Sequence, residues 1–180
     1  MKTNTITKTR TQSILSVVRI IALIGYIGAI VAGLRIIIPF IAGFVAENPS
    51  FDTGTGLDEL RDTHLLPYLS LMSFIIALAI LKVQMWESLR EILDEINLSS
   101  PFSIKIATML EKMSYLILGI GIVYITGDGY AAYLSKTISA VDKGLIKSEF
   151  QYFFSAGIVY VMAQVFRHGV ELQEESDLTV

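Results

Sequence analysis

Four apolar stretches, residues 20–46, 65–81, 113–127 and 150–166, set the terms on which this chain can fold. A bilayer core is about 30 Å thick and takes around 20 apolar helical residues to cross. The stretches predict an all-α fold, a four-helix transmembrane bundle occupying residues 1–180 as a single membrane domain. The expected spans run approximately over 18–43, 65–86, 106–128 and 150–168. Little chain remains outside them, and no enzyme is expected.

Composition supports this. Hydrophobic residues make up 53% of the 180 and charged residues 17%, against about 25% charged in an ordinary soluble domain. Net charge is only −3 and there is no basic face, so direct nucleic-acid binding is not expected. With no cysteine, disulfides, thiolate metal sites and a thiol nucleophile are excluded. His64 and His168 fall on opposite sides of the predicted membrane, and no HExxH, P-loop, GxSxG or GxGxxG is present. The outer loop carries Asp52, Asp58, Glu59 and Asp62, hard oxygen donors without an EF-hand pattern. We expect no catalytic residues, metal or cofactor.

Span one follows a polar tail with Lys2, Lys8 and Arg10, a beginning that also suits a signal peptide. Its apolar run resumes beyond Arg35 and no small-residue cleavage site ends it, so a retained helix is expected. Span three has an apolar core of residues 113–127 and must extend into 106–112 or 128–134. Lys and Arg in the short flanks set orientation. Lys2, Lys8, Arg10, Arg19, Lys82, Arg90, Lys105, Lys112 and Arg167 lie on one side, Arg61, Lys136, Lys143 and Lys147 on the other. Nine against four predicts both termini inside, in a multi-pass protein of the cell inner membrane.

After span two, Trp86, Leu89, Leu93 and Ile96 recur at spacings of three and four among charged residues, predicting an amphipathic cytoplasmic helix that extends the span. Ser100 is placed to cap a helix starting at Pro101. Two readings of this corner stand open: a packed connector, or a docking surface for a cytoplasmic protein built from Trp86, Leu89, Leu93, Pro101 and Phe102. Arg35 lies within span one at a cost of about 2.5–3.5 kcal/mol at a helix centre. It either snorkels to outer headgroups or pairs with Asp128, at similar depth in span three. Gly25, Ala29 and Gly33 form a small-xxx-small row for close helix contact, within the bundle or between two copies of the chain in a homo-oligomer.

The segment Ser100-Pro101-Phe102-Ser103 and the ending from Phe166-Arg167-His168-Gly169 to Leu178-Thr179-Val180 resemble those of a bacterial membrane family, domain of unknown function 2975. The resemblance covers essentially the whole chain. It implies four spans, no established activity, and a gene context beside a small helix-turn-helix transcription regulator. An acidic cluster, Glu171, Glu174, Glu175 and Asp177, offers such a regulator's basic surface a contact; a solvated tail is the plainer reading. The expected function is a non-enzymatic membrane-bound regulatory or sensing partner, the alternative a small transporter or immunity-type protein.

Overall fold

The computed structural model describes residues 3–45, 53–96, 102–142, 144–147 and 150–178, with side chains from Gln12 onward except at 44 and 176–178. Five helices follow in order: α1 (Thr3–Val45), α2 (Asp58–Thr63), α3 (Leu65–Glu95), α4 (Ile104–Leu134) and α5 (Gln151–Leu178). Among the described residues there is no strand. At 1.5 Å per residue α3 and α4 are each about 46 Å long, well beyond a bilayer core.

Three helical segments, Gln12–Gly43, Leu65–Glu95 and Ile104–Leu134, are long and apolar enough to cross a membrane. The fifth helix, at 28 residues, is slightly shorter and less apolar, being interrupted by Gln151, Gln164, Arg167 and His168.

Local chemistry sets the helix ends. Pro67 falls in the first turn of α3, where the first intrahelical bond is donated by Tyr68 N–H to the His64 carbonyl, so the missing proline N–H costs nothing. The helix then runs unbroken through the amphipathic stretch to Glu95, since nothing in 82–95 interrupts it. Two expectations need correction at its neighbour. Ser103, with extended backbone, accepts from Ile106 N–H at 3.2 Å and caps α4; the cap is not Ser100, which with Pro101 lies outside the described residues. And α4 extends in both directions from its apolar core rather than choosing one.

The long helices pack in series, α1 on α3, α3 on α4 and α4 on α5. Each neighbour runs antiparallel: Arg19 meets Asp94 while Phe40 meets Tyr68, Glu95 meets Lys105 while Phe74 meets Tyr130, and Phe102 meets Phe166 while Tyr124 meets Tyr152. Among the described residues α1 packs on neither α4 nor α5. The array is therefore open between α1 and α4, because among the described residues α3 is the one long helix that α1 packs on. Most of α1's apolar surface is uncovered, with Ile24 65% and Ile38 58% exposed.

The main core lies at the end where 53–64 and 135–147 connect the helices, here called the loop end. Leu57 and Leu60 of the first connection are fully buried with Tyr68, Leu71 and Met72 of α3, and Val141 and Ile146 of the second join them. The sequence suggested an irregular acidic loop; instead Asp58 and Glu59 start α2, where negative charge complements the helix dipole. Burial of Leu57 and Leu60 anchors it. Arg61 donates to the Gly43 carbonyl at 2.8 Å, tying the connection to α1. A second cluster, Ile92, Ile106, Leu110 and Ala163, joins α3, α4 and α5 at the opposite, corner end.

Candidate functional site

Because α1 and α4 do not meet, a cleft of about 680 Å³ opens between them with α3 as its floor. Small residues of α1 (Gly28, Ala29, Ala32, Gly33) form one wall, and Ile75, Leu78, Ala79, Lys82 and Trp86 of α3 form the floor. Tyr124 faces them from α4. Gly54 and Thr55, and Gly144 to Lys147, reach the cleft from the two connections. Gly54 (φ 65°) and Gly144 (φ 98°) supply left-handed turns that side chains rarely adopt.

The polar groups of the cleft are held in place. Lys82 Nζ lies 5.3 Å from the centre of the Tyr124 ring, a cation–π contact. That ring is stacked on Tyr152 of α5 at 5.2 Å, which fixes its position. Thr55 Oγ1 is 2.7 Å from Thr53 Oγ1 and 3.8 Å from the Met72 sulfur, pinning the connection to α3. Among the described residues, two lysines and no carboxylate line the cleft.

Trp86 closes the cleft toward the corner end. A Cβ at Gly25 would stand 2.4–2.7 Å from three carbons of its indole, so the ring lies flat on a surface only glycine leaves free. Arg90, one turn further, is over the Tyr26 ring at 5.1 Å. Arg19 Nε donates to the Leu93 carbonyl at 2.9 Å and its guanidinium is 3.6 Å from Asp94, holding α1 to the last turn of α3. The row Gly25, Ala29, Gly33 thus meets α3 of its own chain, Gly33 opposite Ala79. At Gly25 and Gly33 the close contact expected of the row is made with α3 inside the array.

The corner is packed likewise. Ile92 and Leu93 are buried and Trp86 and Leu89 half-buried, so the amphipathic stripe is largely spent on α1, α4 and α5. Phe102 packs edge-on against Phe166 at 5.4 Å and covers Gly169, where a Cβ would come within 2.6 Å of its ring. Arg167 Nη2 donates to Glu111 Oε2 at 2.6 Å, and Tyr115 donates its hydroxyl to the other carboxylate oxygen at 3.2 Å. The two segments that carry the resemblance therefore meet: Phe102 sits in the space left by Phe166 and Gly169.

The remaining candidate residues are scattered. Arg35 stands exposed on α1, and Pro39 withholds the N–H that its carbonyl would accept. Asp128 is half-buried on α4, and no ion pair joins the two, since α1 packs on α3 and not on α4. Glu171, Glu174 and Glu175 are exposed at the end of α5, Glu171 being 3.1 Å from His168 Nδ1. The side chain of Asp177 lies outside those described. Among the described residues no three His, Cys, Asp or Glu gather as a metal site. Sequence inspection missed the cleft. Its one available signal was Lys82, seventeen residues into span two, which enters the sequence reading as one of the inner-side basic residues.

These features define an all-α protein with three membrane-length helices and a lysine-lined cleft. Residues 11–180 match the family model described as "Protein of unknown function (DUF2975)", and the chain belongs to that family. Neither the curated proteins nor the solved structures contain a match to it.

Proposed function

We propose that the chain is a non-enzymatic sensing protein of the bacterial inner membrane, crossing it four times with both termini inside and signalling to a cytoplasmic helix-turn-helix regulator. The observation that carries this reading is the course of α3. One unbroken helix floors the cleft at Ile75–Trp86 and then, within three turns, joins the corner that holds the tail of α5. A molecule in the cleft bears on Trp86, and through it on the α1–α3 contact beside that corner. Support for α5 as the fourth span comes from its outer face: Phe154, Ile158, Val161 and Val165 stand exposed in one stripe, opposite the face packed on α4. The count of nine basic residues against four supports the orientation. Glu171, Glu174 and Glu175 then face the cytoplasm as the regulator's contact, with Asp177 beyond them.

A small transporter or immunity-type protein is the alternative, and the cleft is the feature it would use. Trp86 against Gly25 stands across the corner end of that cleft, which favours holding a molecule over passing it.

The test co-expresses the neighbouring regulator with the intact chain, with a chain lacking residues 171–180, and with Gly28→Leu, which fills the cleft where a Cβ meets nothing within 4 Å. Co-purification with membranes is expected for the intact chain and lost on truncation, with the bound fraction altered by the filled cleft. A regulator that remains soluble throughout refutes the reading.

A further inference from the structure

The cleft's lining is specific enough to name the chemistry of its occupant. Among the described residues its charged groups are Lys82 and Lys147, with no acidic residue beside them in the lining. Both come to the same level of the array. Lys82 lies over Tyr124, while Ile146, next to Lys147, packs where a Cβ of Gly127 would be, 3.1 Å away. Tyr124 and Gly127 are three residues apart on α4, about 4.5 Å along its axis. Neither lysine belongs to an ion pair among the described residues. Lys82 is half-buried beside apolar walls and Lys147 is exposed at the edge of the cleft, so an anionic group entering there meets one partly desolvated ammonium and one solvated one.

The rest of the lining is apolar and built from small side chains of α1 against Ile75, Leu78 and Ala79. Beyond the Gly33–Ala79 crossing lies a second cavity of about 210 Å³, walled by Ile30, Leu34, Ile37 and Ile80. At roughly 30 Å³ per heavy atom, a water's share of the liquid, the main cleft holds about 23 heavy atoms. Together with the second cavity the space reaches about 30 heavy atoms, enough for an acidic head with one alkyl chain; a two-chain phospholipid has nearly twice as many.

Building on the sensing role, we infer that the cleft binds a single-chain anionic amphiphile, a carboxylate or phosphate head on one alkyl chain, with its head between Lys82 and Lys147. The chain lies along the small-residue wall of α1 and ends toward Trp86 or the Gly33–Ala79 crossing.

Trp86 is the sole tryptophan of the chain and lines the cleft, so its emission reports binding directly. The full chain in phosphatidylcholine nanodiscs is titrated with oleate, oleoyl lysophosphatidic acid, oleyl alcohol, oleoyl lysophosphatidylcholine and inorganic phosphate. A saturable change is expected with oleate or the lysophosphatidic acid, the stronger of the two identifying the head as carboxylate or phosphate. 9,10-Dibromostearate is expected to quench Trp86 in competition with it. Lys82→Gln and Lys147→Gln should each weaken binding about tenfold, as loss of a charge-assisted contact does. Lys82→Arg, which keeps the charge, should retain it and serves as the folded reference.

An equal response to oleyl alcohol or to the zwitterionic lipid overturns the proposal, as do binding of phosphate alone and unchanged affinity in both glutamine variants. If these lipids fail to bind while Gly28→Leu still alters regulator capture, the ligand class is wrong and the sensing role stands. If they bind as expected while regulator capture ignores the filled cleft, the site is right and the sensing role fails.

Discussion

Replacing Gly25 and Gly28 by alanine, one at a time, puts the same methyl group three residues apart on one helix and should give opposite results. In isolation either change favours the helix by up to about 1 kcal/mol, since glycine is the poorer helix former. At Gly28 nothing lies within 4 Å of the new Cβ, so this gain is not opposed. At Gly25 the Cβ would meet three indole carbons of Trp86 at 2.4, 2.6 and 2.7 Å. Carbon atoms rest at about 3.5–4.0 Å, so the ring must retreat on the order of 1 Å. Trp86 is half-buried and lines the cleft, so the ring is expected to yield toward that open space. Overpacking of this kind costs about 1–3 kcal/mol. Less the helical gain, Gly25→Ala should destabilise by about 0.5–2 kcal/mol, and Gly28→Ala should be neutral or stabilise by up to about 1 kcal/mol. Unfolding in mixed micelles by titration with dodecyl sulfate, followed by Trp86 emission, measures both. The native emission maximum should also shift in Gly25→Ala, because the ring moves toward the open cleft. Equal midpoints for the two variants, or an unshifted maximum in Gly25→Ala, would refute the Trp86–Gly25 contact as the closure of the cleft.

Other measurements address the corner, the fourth span and the orientation. In double-mutant cycles the half-buried Arg167–Glu111 pair should couple by about 1.5–3 kcal/mol, whereas Lys105–Glu95, with its lysine 63% exposed, should couple by less than about 1 kcal/mol; the same unfolding assay reads both. Ile158→Arg should lower insertion of α5 by about 3 kcal/mol in a glycosylation-mapping assay if this face meets lipid, and leave it unchanged if α5 lies outside the bilayer. Since the chain contains no cysteine, single cysteines at Ser139 and Glu174 can be labelled with an impermeant maleimide on intact cells. Labelling at 139 and protection at 174 is expected, and the reverse pattern would overturn the orientation.

The sequence by itself determined the helical class, because apolar runs of bilayer length leave the backbone little choice in lipid but to bond within a helix. It also determined that α3 runs on past the membrane core. The spacing of Trp86, Leu89 and Leu93 carried α3 past its apolar core; the sequence places Ser100 as the cap of a helix from Pro101, whereas α4 starts at Ile104 with Ser103 as its cap. The Pro-Phe corner and the Phe-Arg-His-Gly ending were visible as separate segments, but not that Phe102 fills the space over Gly169.

Only the tertiary structure decided which faces meet, since a periodic pattern states that a helix has a packing side without naming its partner. The small row of α1 suited a second copy as well as α3, and only packing puts Trp86 of α3 on Gly25. Arg35 and Asp128 matched in depth, yet α3 packs between their helices. The cleft was invisible for the same reason. It exists because α1 fails to reach α4, and it takes its charge from Lys82 and Lys147, more than sixty residues apart in sequence and brought level only by packing.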